Sequence, residues 1–171
     1  MTIHTEHPFA EPPDPVRRFR GRLGGAVSLW TAGEGADRAG LTVSSLMVAN
    51  GEPASVVGLL DPDSELHERL QDTGRGVVQL LHRSDRELAD AFGGLAPAPG
   101  GAFRLGAWEQ IPSGPALVGR TRASVRYVES REIGWSTLVV AEIEELVVVE
   151  EDLPLEHRRG RYLHLDVGGA G

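Results

Sequence analysis

Three hydroxyls within four residues, Thr42, Ser44 and Ser45 in the stretch Gly40-Leu41-Thr42-Val43-Ser44-Ser45, form the densest cluster of hydrogen-bonding chemistry in the chain. At a strand end behind a glycine, such hydroxyls and their backbone N–H groups can wrap a phosphate or the polar edge of a heterocycle. Turn chemistry uses the same residue types, and at this point both readings stand. Other candidates are poorer. His67-Glu68 has no second His four positions on, and His4 and His7 fall in a Pro-rich start, so no metal-ligand spacing forms and no metal is expected. Asp61-Pro62-Asp63 opens like a calcium loop, yet Leu66 stands where the turn glycine belongs. The glycines of 33–40 have the wrong spacing for a dinucleotide fingerprint, and no Gly-x-Ser-x-Gly occurs. All 17 basic residues are Arg and there is no Cys, which removes thiolate nucleophiles, Cys-based zinc sites, disulfides, Schiff bases and the P-loop lysine.

The elements that must position these residues follow from periodicity. Asp14-Pro15 reads as an N-cap and first helical residue, with Val16, Phe19 and Leu23 at helical spacing up to Gly24-Gly25. Runs 26–31 and 38–44 read as a β-hairpin around the turn-rich 33–37. Segments 54–60 and 76–81 read as buried strands, separated by a helix 65–70 capped by Asp63-Ser64 and ended by Gly74. Ser84-Asp85-Arg86-Glu87 resembles a capping box opening a helix through Phe92. Segment 95–115 is rich in Gly, Ala and Pro and reads as a long loop, in which Phe103 and Trp108 either close over a ligand or form a minor core. Two long strands, 116–129 and 136–149, pair around 130–134, so that a row of Arg120, Arg122 and Arg126 faces Glu142 and Glu144.

The fold class these elements imply is mainly β, an antiparallel β-barrel with peripheral helices and no internal repeat. The 171 residues suit one domain that buries about two-thirds of its unfolded surface. Residues 1–13 read as a flexible arm, 14–167 as the domain and 168–171 as a tail. A net charge of −8 argues against a nucleic-acid surface. No apolar run reaches the roughly 20 residues that span a bilayer, and the polar start lacks the parts of a secretion signal, so a cytoplasmic, non-membrane protein is expected.

The order of these segments resembles the flavin reductase-like family of FMN-binding split β-barrels. The resemblance rests on Arg17, Arg18 and Phe19 in the first helix, Gly24-Gly25-Ala26-Val27 entering a strand, and Gly40-Leu41-Thr42-Val43-Ser44-Ser45 in place of the family's Gly-Met-Thr-Val-Ser-Ser. Pro53, Ser64, Val77-Val78-Gln79-Leu80-Leu81, Glu87-Leu88-Ala89-Asp90-Ala91-Phe92, Pro154-Leu155 and Arg159-Gly160-Arg161-Tyr162 continue it in order over roughly residues 15 to 165. It implies a homodimer that binds FMN, or FAD or another flavin, in the interface. Thr42, Val43, Ser44 and Ser45 match the stretch that contacts the isoalloxazine and ribityl chain. Asp61 and Ser64 match the loop near the ribityl-phosphate, Gln79 stands where the family often has Asn beside the flavin, and Arg83 or Arg86 at the next helix start is placed to reach the phosphate.

One departure concerns the reductant. Where the family commonly carries Gly-Asp-His-Thr, with the His near the nicotinamide, this chain has Gly134-Trp135-Ser136-Thr137. Trp135 and Ser136 are therefore the nicotinamide-side candidates, with Trp135 either stacking on a ring or, as is commoner for an aromatic on a strand, serving as core. The expectation is an oxidoreductase that passes hydride from NAD(P)H to flavin, as the reductase component of a two-component monooxygenase, with no acid or base residue required of the protein. The alternative is a non-catalytic flavin-binding or accessory barrel.

Overall fold

Helix α1 (Pro15–Leu23) starts where Asp14 predicts: its Oδ1 accepts from the backbone N–H of Val16 at 3.0 Å and of Arg17 at 3.2 Å. The computed structural model describes residues 14–150 and 153–163; the predicted arm and tail, with His4 and His7, lie outside them. The strands are β1 (Gly25–Ala26), β2 (Ser28–Ala32), β3 (Ala39–Val43), β4 (Leu46–Ala49), β5 (Ser55–Leu60), β6 (Arg75–Leu80), β7 (Trp108–Ile111), β8 (Gly114–Leu117), β9 (Arg122–Ile133), β10 (Ser136–Val147), β11 (Glu156–Arg158) and β12 (Arg161–Tyr162). Two further helices, α2 (Glu65–Thr73) and α3 (Arg86–Phe92), complete the elements used below.

Seven strands form one antiparallel sheet in the order β3-β2-β6-β9-β10-β5-β4, curled so that β3 comes back against β5. This is the mainly β, barrel-like fold with peripheral helices that the sequence predicts. The two edge strands, β3 and β4, are consecutive in the chain and joined only by Ser44-Ser45. Two smaller pairings, β1-β11-β12 and β7-β8, flank the main sheet.

Strand β2 shows how the sheet is held. All five of its residues are buried, because its two faces are both covered. Trp30 faces an inner core with Val43, Val56, Leu60, Leu66, Leu70, Val125 and Val139, where α2 plugs the curl through Leu66 and Leu70. Leu29 faces an outer core with Val27, Leu81, Leu88, Phe92, Leu117 and Leu155 under α3. The polar residues of β2 are bonded internally: Ser28 Oγ donates to Val43 O at 2.6 Å and accepts from Trp30 Nε1 at 3.1 Å, and Thr31 Oγ1 donates to Pro115 O at 2.5 Å. The sheet also needs glycine at Gly58, where a Cβ would come within 2.7 Å of the Trp30 ring.

Five expectations are corrected. Strand β4 was not expected; it is a short edge strand whose residues are partly or fully exposed, so it carries no alternation to read. The predicted loop 95–115 contains a 3-10 turn at Ala102–Arg104 and the strand β7, which pairs with β8 across Pro112-Ser113. Pro115 is tolerated there because the pair has only two strands. The predicted strand 116–129 is two strands, broken at residues 118–121, and β9 runs on to Ile133, so the hairpin turn is Gly134-Trp135 and not 130–134. That break takes Arg120 out of the expected Arg–Glu row, and Arg122, at the start of β9 opposite Val147, turns to a different carboxylate. Arg120 grips Asp85 and Arg122 pairs with Glu109, leaving Arg126–Glu142 as the cross-strand pair of that row. Finally, Ser84-Glu87 is not the capping box: a 3-10 turn at Arg83–Asp85 precedes α3, and Asp85 Oδ2 accepts from the His82 backbone N–H at 2.8 Å.

Candidate functional site

Register brings three separate stretches to one end of the sheet. Leu59 N donates to Ser45 O at 2.9 Å, which ties the β3–β4 link to the end of β5. Leu60 pairs with Thr137, which places the Asp61–Ser64 loop beside Trp135 and Ser136 at the tip of the β9–β10 hairpin. Thus Ser44-Ser45, Asp61, Ser64, Trp135 and Ser136, widely spaced in sequence, share one rim.

Their side chains differ in availability. Ser44 is exposed and Ser45 half-buried. Asp61 shapes the loop, its Oδ1 accepting from Asp63 N at 2.9 Å and its carbonyl from Ser64 N at 3.1 Å. The Ser64 hydroxyl is buried without any hydrogen-bond partner, although the residue sits at the N-cap of α2. A buried hydroxyl left unbonded costs free energy, so the rim holds an unspent donor and acceptor. Ser136 is half-buried, and Trp135 is 95% exposed. The core reading of Trp135 is therefore wrong: a two-residue turn points the indole away from both cores.

Other candidates are committed elsewhere. Val43 packs in the inner core, and any contact it offers is through backbone. Thr42 Oγ1 donates to Ala89 O at 2.7 Å, fixing β3 to the end of α3. Gln79 is fully buried; Nε2 donates to Thr31 Oγ1 at 3.1 Å, and Oε1 accepts from Leu117 N at 2.7 Å. Its amide is an internal clamp and presents nothing to a ligand, because the face of β6 that carries it is covered by β8. The Arg86 guanidinium lies 5.1 Å from the centre of the Tyr162 ring, and Tyr162 OH donates to Asp90 Oδ1 at 2.5 Å, so Arg86 belongs to a clasp between α3 and β12. Burial, then the bond to Asp90, pushes the Tyr162 hydroxyl pKa up and keeps it neutral. Phe103 and Trp108 settle as minor core, with ring centres 4.9 and 5.9 Å from that of Phe92.

Two further groupings involve residues that the sequence offers only as a rejected metal ligand, His67, and as part of a helix cap, Asp85. His67 Nε2 is 3.0 Å from Ser130 Oγ, which is 2.6 Å from Tyr127 OH, a chain linking α2 to β9 one helical turn beyond Ser64. Only the packing of α2 against β9 brings these together, so no spacing signals it. Asp85 is the other. Burial alone would raise its carboxyl pKa, but Arg120 Nε and Nη2 at 2.6 and 2.7 Å, with the His82 N–H, outweigh it and hold the carboxyl below the usual range. This pair anchors the turn from which α3 starts.

Known proteins agree with this architecture. The model of the flavin reductase like domain matches residues 20–166. An FMN reductase (NADH) RutF of Ancylobacter novellus is 30% identical over 132 residues, 76% of this chain and 72% of the relative. The 4-hydroxyphenylacetate 3-monooxygenase reductase component of Pseudomonas aeruginosa is 25% identical over 138 residues, 79% and 81% of the two chains. Among solved structures, the Streptomyces globisporus NADH:FAD oxidoreductase SgcE6 in complex with NAD and FAD fragments superposes with a TM-score of 0.80 at 20% identity, covering 94% of this chain and 100% of that one. Flavin reductase PheA2 gives 0.79 at 21%, covering 90% and 99%. With the family model spanning nearly the whole described chain, this protein belongs to the flavin reductase-like family.

Proposed function

We propose that the chain is a flavin reductase that takes hydride from NAD(P)H and delivers reduced flavin to a monooxygenase partner. The observation that carries the reading is the rim where Ser44-Ser45, the Asp61–Ser64 loop and the Trp135-Ser136 tip meet around a buried, unbonded Ser64 hydroxyl. These residues fit FMN or FAD: a neutral set of hydroxyls and backbone amides suits a ribityl chain and its phosphate without any Lys. A bound flavin supplies the redox chemistry, accepting hydride and releasing electrons onward. The protein's part is orientation and shielding. Ser44 and Ser45 bond the polar edge of the ring, Ser64 receives the ribityl-phosphate end, Asp61 keeps that loop folded, and Trp135 offers a flat apolar face for the nicotinamide beside Ser136. Val43 and Thr42 hold the strand that aims the two serines.

A second copy of the chain completes the site in this reading. Its support is the exposed apolar run Met47, Val48 and Leu59 on β4 and β5, next to the rim and on a sheet edge that a partner would cover. A cytoplasmic setting belongs to the same proposal, since reduced nicotinamides are an intracellular substrate. The test is a titration with FMN and FAD followed by flavin fluorescence, then anaerobic addition of NADH or NADPH. Saturable binding and bleaching of the flavin absorbance are expected; binding without bleaching refutes turnover, and no binding refutes the site.

The alternative, a flavin-binding barrel without turnover, has one observation in its favour. Neither Trp135 nor Ser136 supplies the carboxylate or imidazole that family reductases commonly place there. Ser136→His separates the two: an NADH oxidation rate that appears only in the variant means that the natural chain is the binding module.

A further inference from the structure

Seven of the 17 Arg fall in two short segments, Arg17, Arg18, Arg20 and Arg22 on α1, and Arg158, Arg159 and Arg161 on β11, β12 and the turn between them. Against them, residues 14–24 and 156–163 hold two carboxylates, Asp14 and Glu156, in a chain whose net charge is −8. The fold joins the segments. Strand β1 pairs with β11, and Arg159 N donates to Gly21 O at 2.7 Å. Although acidic residues outnumber basic ones overall, none of these seven guanidiniums pairs with a carboxylate among the described residues. A shallow recess on the β11–β12 side is lined by Arg158, Arg159 and Leu163. Beside it, His157 Nδ1 is buried without a partner. Burial, with the charge of Arg20, also keeps that ring neutral.

Arg159 has a backbone that its side chain does not favour. At φ 55° it is the one non-glycine with positive φ among the described residues, and with Gly160 at φ 70° it forms the two-residue β11–β12 turn. Such turns prefer Asn, Asp or Gly at that first position. An Arg held there at a conformational cost points to a use for its guanidinium.

The basic face also lies close to the rim. Ser28 pairs with Val43, the residue before Ser44, and Ala26, two residues back, pairs with Glu156. Along the strands, the path from Ser44 to Arg158 comes to about 26 Å at ordinary strand spacings, and the straight line between them is shorter, on the scale of an extended dinucleotide. We propose that Arg158, Arg159 and the α1 arginines form a site for the adenosine-diphosphate half of a dinucleotide whose redox ring lies at the rim. The ligand chemistry is a pyrophosphate carrying adenosine, which either FAD or the reduced nicotinamide brings. Guanidinium forks bind phosphate in pairs of hydrogen bonds, and forks that pair with no carboxylate among the described residues are open to a phosphate. The inference rests on the flavin reductase reading and adds the dinucleotide form as the preferred ligand.

The test uses the full chain with Arg158→Gln and Arg159→Asn combined. Asn suits the left-handed turn position, so the variant keeps or gains melting temperature. FMN, FAD and ADP affinities are measured by fluorescence and by ligand-dependent melting shifts. ADP is expected to raise the melting temperature of the natural chain and not of the variant. If FAD is the source, its affinity falls about tenfold or more while that of FMN is unchanged. If the nicotinamide is the source, FMN and FAD affinities both hold and the KM for NADH rises by a similar factor. Equal losses for FMN and FAD, or no ADP response in the natural chain, overturn the proposal. Failure of every flavin to bind refutes the functional reading instead, and the ADP arm still decides the anion site.

Discussion

Gly40 and Phe92 are coupled in a way that can be measured. A Cβ built at Gly40 would lie 2.6 Å from Phe92 Cε1, 2.8 Å from Cδ1 and 3.4 Å from Thr31 Cγ2. Carbon atoms rest about 3.5–4.0 Å apart, so in Gly40→Ala the ring must retreat by about 1 Å. It has little room: Phe92 is buried, with Phe103 edge-on to it and Trp108 behind. Overpacking of this kind costs about 1–3 kcal/mol, and at about 2–4 °C per kcal/mol for a chain of this size the melting temperature falls by about 2–12 °C. Because Phe92 ends α3, its displacement also strains the Thr42 Oγ1 bond to Ala89 O, so flavin affinity at the rim weakens with stability. Urea denaturation of Gly40→Ala, Phe92→Leu and the double variant gives the decisive number. The smaller Leu takes up the added methyl, so the double variant is more stable than the sum of the singles predicts by about 1 kcal/mol or more. Strict additivity, or a Gly40→Ala chain within about 0.5 kcal/mol of the natural one, would show that the close approach of β3 and α3 is not what requires glycine.

The remaining expectations concern single side chains. Asp85 is held below its unfolded carboxyl value, so its contribution is present above about pH 4 and is lost as pH falls through the folded value; acid titration of stability should show that loss in the natural chain and not in Asp85→Asn, which itself costs about 3 kcal/mol by removing the carboxylate that Arg120 grips. Gln79→Leu orphans Leu117 N–H and should cost about 1–3 kcal/mol in urea while leaving flavin affinity intact below the melting transition, whereas a selective loss of affinity would restore Gln79 as a ligand contact. Ser64→Ala removes a hydroxyl that bonds to nothing in the protein, so apo stability should stay within about 0.5 kcal/mol and flavin affinity should drop; an equal fall in both would make the hydroxyl structural.

Much of the fold was legible because the deciding signals are local. Asp14-Pro15, Gly74 after α2 and the apolar runs of β5 and β6 each specify their element within a few residues. Where the sequence misled, the cause was non-local. Nothing near Arg120 reveals that Asp85 is its partner, and the interruption between β8 and β9 at 118–121 is what brings them together. Pro112 and Pro115 read as loop residues because proline breaks most sheets, yet a two-stranded hairpin accommodates them. At the rim, Ser44, Ser45 and Ser64 stood out as hydroxyls at element ends, and none of the three hydroxyls is hydrogen-bonded among the described residues, Ser44 being exposed and the Ser64 hydroxyl buried. Gln79 and Thr42 were indistinguishable from them in type, since the sequence does not show which way a strand residue points once both faces of the sheet are covered.

The link between β3 and β4 has a mechanical meaning. These are the first and last strands of the sheet, and Ser44-Ser45 is the short hinge across the opening where the curl fails to close on itself. A molecule bonded to those two serines is a rivet through that seam. Its binding energy acts as closure energy for the whole seven-stranded sheet, so occupancy should be felt as slower amide exchange along β3 and β4, far beyond the atoms it touches, and an empty seam should be the place where the barrel first breathes open.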